Sequence, residues 1–130
     1  MLRERCVEYV IETYIPHARV VVAAPELRGA YEKLREAACA TVTWRSGEET
    51  AVLVAVGEDY SYINLQHNGD FHTLTVPASH DGEDAEIALI GGVDTMVPAR
   101  HLAARELGLD VLQKAPDIPR ILTEHAWEEQ

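Results

Sequence analysis

Apolar residues along this chain recur mostly at every second position, and only two stretches recur at helical spacing. Val7, Tyr9 and Ile11 alternate with Glu8 and Glu12, which predicts a first strand over Cys6–Glu12; Arg19–Ala23 reads as a short second one. Pro25 stands at the favoured first position of a helix. Leu27, Ala30, Tyr31, Leu34 and Ala38 follow on one face of it, with charged residues between, giving an amphipathic helix of about three to four turns.

Strand signals then crowd together. Val42 and Trp44 alternate with Thr41, Thr43 and Arg45, and Ser46-Gly47-Glu48-Glu49 reads as a turn. Ala51–Val56 is apolar on both faces, as a central strand is. Gly57-Glu58-Asp59 turns the chain into Tyr60–Gln66, Asn68-Gly69 predicts a type I′ hairpin, and Phe71–Val76 returns antiparallel to stop at Pro77. Glu86–Ile90 is a further strand ended by Gly91-Gly92. Pro98 predicts the start of a second helix reaching about Lys114 and interrupted at Gly108; Asp117-Ile-Pro119 reads as a turn, and Ile121–Trp127 as a last strand. The fold class is therefore α+β over residues 1–130 as one domain: a mainly antiparallel sheet of about six strands with two helices, in the order β-(β)-α-β-β-β-β-β-α-β.

A two-residue loop at Asn68-Gly69 fixes the hairpin register. His67 faces Asp70, Gln66 faces Phe71, Leu65 faces His72, Asn64 faces Thr73, and Ile63, Tyr62 and Ser61 face Leu74, Thr75 and Val76. Ile63, Leu65, His72, Leu74 and Val76 then share a core face. Tyr60, Tyr62, Asn64, Gln66, Phe71, Thr73 and Thr75 share the other, a mixture suited either to an interface or to cover by a helix.

Charge changes the picture more than composition does. The chain has 22 acidic against 11 basic residues, a formal net charge of -11. Between Ser46 and Ala99 stand ten carboxylates and no lysine or arginine, so nearly all of the excess lies in the middle of the sequence. Such a balance repels nucleic-acid backbones and anionic membranes, and fits a basic protein surface. The longest apolar run, Ala51–Val56, is six residues against the roughly 20 that a bilayer needs. No signal-like stretch opens the chain, so a cytoplasmic location is expected, with Cys6 and Cys39 as separate thiols.

No catalytic constellation emerges from the spacing. His67 pairs most simply with Asp70 at the turn, His72 reads as a core residue, and His101 and His125 stand alone. Ser79-His80-Asp81 holds the three triad residue types, but neighbours on one loop do not form the hydrogen-bonded chain that a triad needs. Neither metal-ligand spacing nor a phosphate-cradling glycine loop is present, and no cofactor is expected.

Leu53-Val-Ala-Val-Gly-Glu-Asp-Tyr-Ser-Tyr-Ile-Asn-Leu, Glu86-Ile-Ala-Leu-Ile-Gly-Gly, Val97-Pro98 with Ala99-Arg-His-Leu-Ala-Ala-Arg-Glu-Leu, and the closing Ile121-Leu-Thr-Glu-His-Ala-Trp127-Glu128 follow one another in an order that resembles the immunity proteins of bacterial polymorphic toxin systems, the first-numbered Imm family. Lys114-Ala-Pro-Asp-Ile-Pro119 takes the place of that family's glycine-containing turn, and the first 50 residues match only in outline. The resemblance implies a cytoplasmic, non-enzymatic inhibitor of one cognate toxin domain, often a nucleic-acid deaminase or nuclease; it transfers no functional residues, and gives Pro98 and Trp127 structural roles.

Read with the charge, it makes the 46–99 segment the expected toxin-binding surface. Tyr60, Tyr62 and Phe71 are the candidate anchors, and Glu48, Glu49, Glu58, Asp59, Asp70, Asp81, Glu83 and Asp84 the candidate charge partners of a basic cleft. A small α+β enzyme or ligand-binding domain with a pocket between sheet and helices is the alternative. A homodimer pairing through the aromatic face is a third reading that the sequence leaves open.

Overall fold

The computed structural model describes residues 7–14, 17–34, 40–76, 85–90 and 93–129. Strands β1 (Glu8–Tyr14) and β2 (His17–Ala23) form a hairpin, and β1 also pairs with β3 (Ala40–Ser46). From β3 the chain meanders through β4 (Thr50–Val56), β5 (Tyr60–His67) and β6 (Asp70–Thr75), every pairing antiparallel. The last strand, β10 (Ala126–Glu129), closes against β6, giving the spatial order β10-β6-β5-β4-β3-β1-β2. Strands β7 (Ala85–Ile90) and β8 (Val93–Pro98) make a separate two-stranded sheet, and the two-residue β9 (Ala103–Ala104) pairs with the start of β5. Three helices are found among the described residues: α1 (Leu27–Lys33), α2 (Arg105–Lys114) and α3 (Ile118–Glu124). No described helix is long and apolar enough to cross a membrane.

The α+β class is as the period-two pattern requires, with more strands and one more helix than the sequence suggested. Ile11, Val42, Val54 and Ile63 lie side by side across four strands and are buried, each removing apolar surface worth roughly 1.5–3 kcal/mol. All three helices pack over this face. The Gly108 backbone lies against Val54 and Ser61, the Tyr9 hydroxyl donates to the Leu112 carbonyl at 2.7 Å, and the Trp127 indole donates to the Ile121 carbonyl at 3.0 Å. Between α1 and α2 the Tyr31 hydroxyl donates to the Arg105 carbonyl, while Arg105 Nη2 donates to the Tyr31 carbonyl, its guanidinium lying 4.8 Å from the ring centre. Burial pushes the Tyr31 hydroxyl well above its ordinary pKa, so it stays a donor there.

Four expectations change. Pro98 ends β8 instead of opening a helix; a 3-10 turn (Ala99–His101) and β9 intervene before α2 starts at Arg105. Residues 118–124 are helix, with Pro119 in the first turn and the Asp117 carboxylate capping the Arg120 amide, so only Ala126–Glu129 is strand. Pro25 lies in a 3-10 turn (Ala24–Glu26) ahead of α1, while the end expected for that helix at Ala38 lies outside the described residues, as do Cys6 and Cys39. The β5–β6 register holds from His67↔Asp70 to Asn64↔Thr73, after which Ser61 pairs with Ala103, not Val76.

Candidate functional site

Consecutive hairpins in a meander put successive turns at opposite ends of the sheet, and this decides where the candidate carboxylates go. The β3–β4 and β5–β6 turns share one end. Asn68 and Gly69 both take positive φ, 52° and 87°, as the type I′ turn demands. The Gly69 amide donates to the Glu49 carbonyl at 3.2 Å, tying the two tips together. Glu48, Glu49 and Asp70 are thereby gathered on one exposed end. Glu58 and Asp59, on the β4–β5 turn, are exposed at the other end, about 20 Å away along β4. Among the described residues no lysine or arginine pairs with any of these five. Asp81, Glu83 and Asp84 lie outside the described residues.

The helix-free face of the sheet is laid out by register. One row runs Val21, Val10, Thr43, Leu53, Asn64, Thr73 and Glu128 from β2 to β10. Phe71, opposite Gln66 and next to Asp70, is 53% exposed there. Tyr60 instead fills the space that a side chain on Gly57 would take, and Tyr62 faces the His101 ring at 6.4 Å. Phe71 is therefore the freest of the three anchors. Near β1–β3 the same face dips into a concavity of about 470 Å³, floored by Val10, Val21 and Leu53 and flanked by Glu12, Arg19 and Arg45.

The far side of this face is partly covered by a strap that local patterns did not reveal. Arg100 grips Glu128 with both Nε (2.9 Å to Oε2) and Nη2 (3.0 Å to Oε1), and His101 Nε2 stands 3.3 Å from the same carboxylate. These hydrogen bonds hold the Glu128 carboxyl down at about 2. In the sequence Arg100 marks the end of the stretch without lysine or arginine, but nothing local links it or His101 to a partner that lies 28 and 27 residues onward, respectively.

A second concavity, about 500 Å³, opens where the end of the sheet meets the α2–α3 connection, between Trp44, Thr50, His67, Pro116 and Ile118. His67 does not pair with Asp70: its Nε2 lies 3.5 Å from Asn68 Nδ2, and its Nδ1 is buried with no hydrogen-bond partner among the described residues. Elsewhere, ligand atoms of Asp110, Glu124 and His125 lie within 4.8 Å of one another. The Lys114 ammonium, 3.1 Å from each of the two carboxylates, already meets their charge. Ser61, a buried serine, commits its hydroxyl to the Ala104 carbonyl at 2.8 Å. No family model matches the chain, and no curated protein or solved structure does either.

Proposed function

We propose that the protein is an immunity protein: it binds a cognate bacterial toxin domain acting on nucleic acid, a deaminase or a nuclease, and masks the basic cleft of that domain. The observation that carries the reading is the tied pair of hairpin tips, which presents Glu48, Glu49 and Asp70, with no basic partner among the described residues, beside the exposed Phe71 ring. A cleft that holds a polyanion must be positive, and an acidic end with an aromatic anchor competes for the same field. The residue resemblance supplies the identity of the partner; the carboxylate arrangement supplies the means.

The test takes the C-terminal domain of the protein encoded next to this chain's gene and measures its association with, and inhibition by, this chain. The chain is expected to block that domain. Glu48→Lys, Glu49→Lys and Asp70→Lys together should slow association by on the order of 10-fold or more at low salt and weaken its salt dependence. Glu58→Lys with Asp59→Lys, at the opposite end, should leave the rate nearly unchanged. Absence of binding would overturn the reading; equal effects from both ends would overturn the assignment of the surface.

One observation favours a second reading, a ligand-binding domain: His67, whose buried Nδ1 has no hydrogen-bond partner among the described residues, is one of the residues around the concavity between the sheet end and the α2–α3 connection. Under that reading His67→Ala abolishes small-molecule binding and spares toxin inhibition.

A further inference from the structure

Among the described residues strand β2 is an edge with one neighbour, and its segment His17–Ala23 contains no proline, lysine or carboxylate to discourage further pairing. Val20 and Val21 are 52% and 57% exposed, on opposite faces of the strand. The opposite edge of the sheet, β10, carries Glu128 and Glu129. On a molecule of net charge -11, β2 is thus an apolar edge bearing Arg19 in place of acid, where two copies approach with least repulsion.

The hydrogen-bond parity narrows the register. The Ala24 amide donates to the Val7 carbonyl at 2.9 Å, one step beyond the Glu8↔Ala23 pair. Alternation along an antiparallel ladder then turns the amides of Val22, Val20 and Ala18 toward β1, and those of Ala23, Val21 and Arg19 outward. The Ala23 amide is already taken, 3.3 Å from Glu26 Oε1. Arg19 and Val21 remain to pair. Val21 against Val21 of a second copy would set each Arg19 opposite Ala23, whose amide is not free, and Arg19 against Arg19 sets like charges opposite each other, so Arg19 against Val21 of that copy is the register that pairs both residues fully.

We propose that the chain forms a homodimer through β2, paired antiparallel about a twofold axis at Val20. The N–H and C=O groups of Arg19 and Val21 exchange hydrogen bonds with those of Val21 and Arg19 of the second copy. The two Val20 side chains meet on the helix-bearing side, in a non-hydrogen-bonded pair with Cα atoms about 4.5 Å apart. Each Arg19 keeps Glu12 of its own chain as cross-strand neighbour. The sheets join edge to edge, and both helix-free faces stay open, so the dimer does not depend on the toxin reading.

Sedimentation of the full chain over a concentration series is expected to show twice the monomer mass. Val20→Lys changes a side chain already half exposed, and should weaken self-association by at least about 10-fold while leaving the unfolding curve of the dilute chain in place. Val20→Cys, with Cys6 and Cys39 replaced by alanine, should cross-link to itself on oxidation, whereas Val21→Cys, opposite Arg19 of the second copy, should not. If the cysteine-free background does not fold, the Val20→Lys sedimentation decides alone. A chain that stays monomeric at hundreds of micromolar overturns the proposal. So does a dimer indifferent to Val20→Lys, or one dissolved by Phe71→Ser instead.

Discussion

Gly108 lies mid-helix, where a glycine ordinarily costs about 1 kcal/mol relative to alanine. Here the missing side chain is what lets α2 reach the sheet: a Cβ would stand 2.6 Å from the Tyr31 hydroxyl oxygen and 2.8 Å from Ser61 Cβ and Val54 Cγ1. The last two belong to strands held on both sides, so the helix would have to lift, and the Tyr31 bond to the Arg105 carbonyl would stretch with it. Overpacking of this kind costs about 1–3 kcal/mol, more than the gain in helix propensity. Gly108→Ala is therefore expected to lower the urea midpoint by a net destabilisation of up to about 2 kcal/mol. A neutral or stabilised variant would show that α2 moves without cost. In the sequence Gly108 read as an interruption, because period and propensity carry no information about what a helix packs against. Asn68-Gly69, by contrast, was legible outright, since its backbone requirement is local.

At the scale of elements, the strap from Ala99 to His101 joins the helical half to the last strand through one carboxylate. Glu128 titrates at about 2 against an ordinary 4.5, held down first by the Arg100 hydrogen bonds and then by His101. A depressed folded pKa contributes stability that is complete above the unfolded value and disappears as pH falls through the folded one. The strap is thus expected to loosen between about pH 4.5 and 2. Glu128→Gln should flatten the acid limb of a stability-against-pH curve in that window, and an unchanged limb would remove Glu128 from the account. Both halves of this link, Ala99-Arg-His and Trp127-Glu128, were visible as sequence motifs, but not that they touch. The same holds for residues 118–124: Ile121 and Leu122 satisfy a strand pattern as well as a helical one, and only the Asp117 cap and Pro119 decide for helix.

For the molecule as a whole, the acidic excess was legible and its placement was not. A run of carboxylates in sequence suggested one surface, whereas antiparallel connection sends alternate turns to opposite ends, leaving Glu48, Glu49 and Asp70 apart from Glu58 and Asp59. The helical half behaves differently: Asp110, Glu106 and Glu124 meet Lys114, Arg28 and Arg120. Salt acts on these two populations with opposite sign. Screening weakens the exposed pairs and relieves repulsion among the unpaired acids. A net charge of -11 means that repulsion outweighs the pairs. Raising NaCl from 0.01 to 0.5 M shortens the screening length from about 30 Å to less than about 8 Å. The thermal midpoint should therefore rise, by roughly 3–5 °C for each kcal/mol of repulsion relieved. Glu48→Gln, Glu49→Gln and Asp70→Asn together should raise the low-salt midpoint and shrink that response. A midpoint that falls with salt would mean that the helix-side pairs dominate, and that the tied tips carry too little unbalanced charge to steer a basic partner.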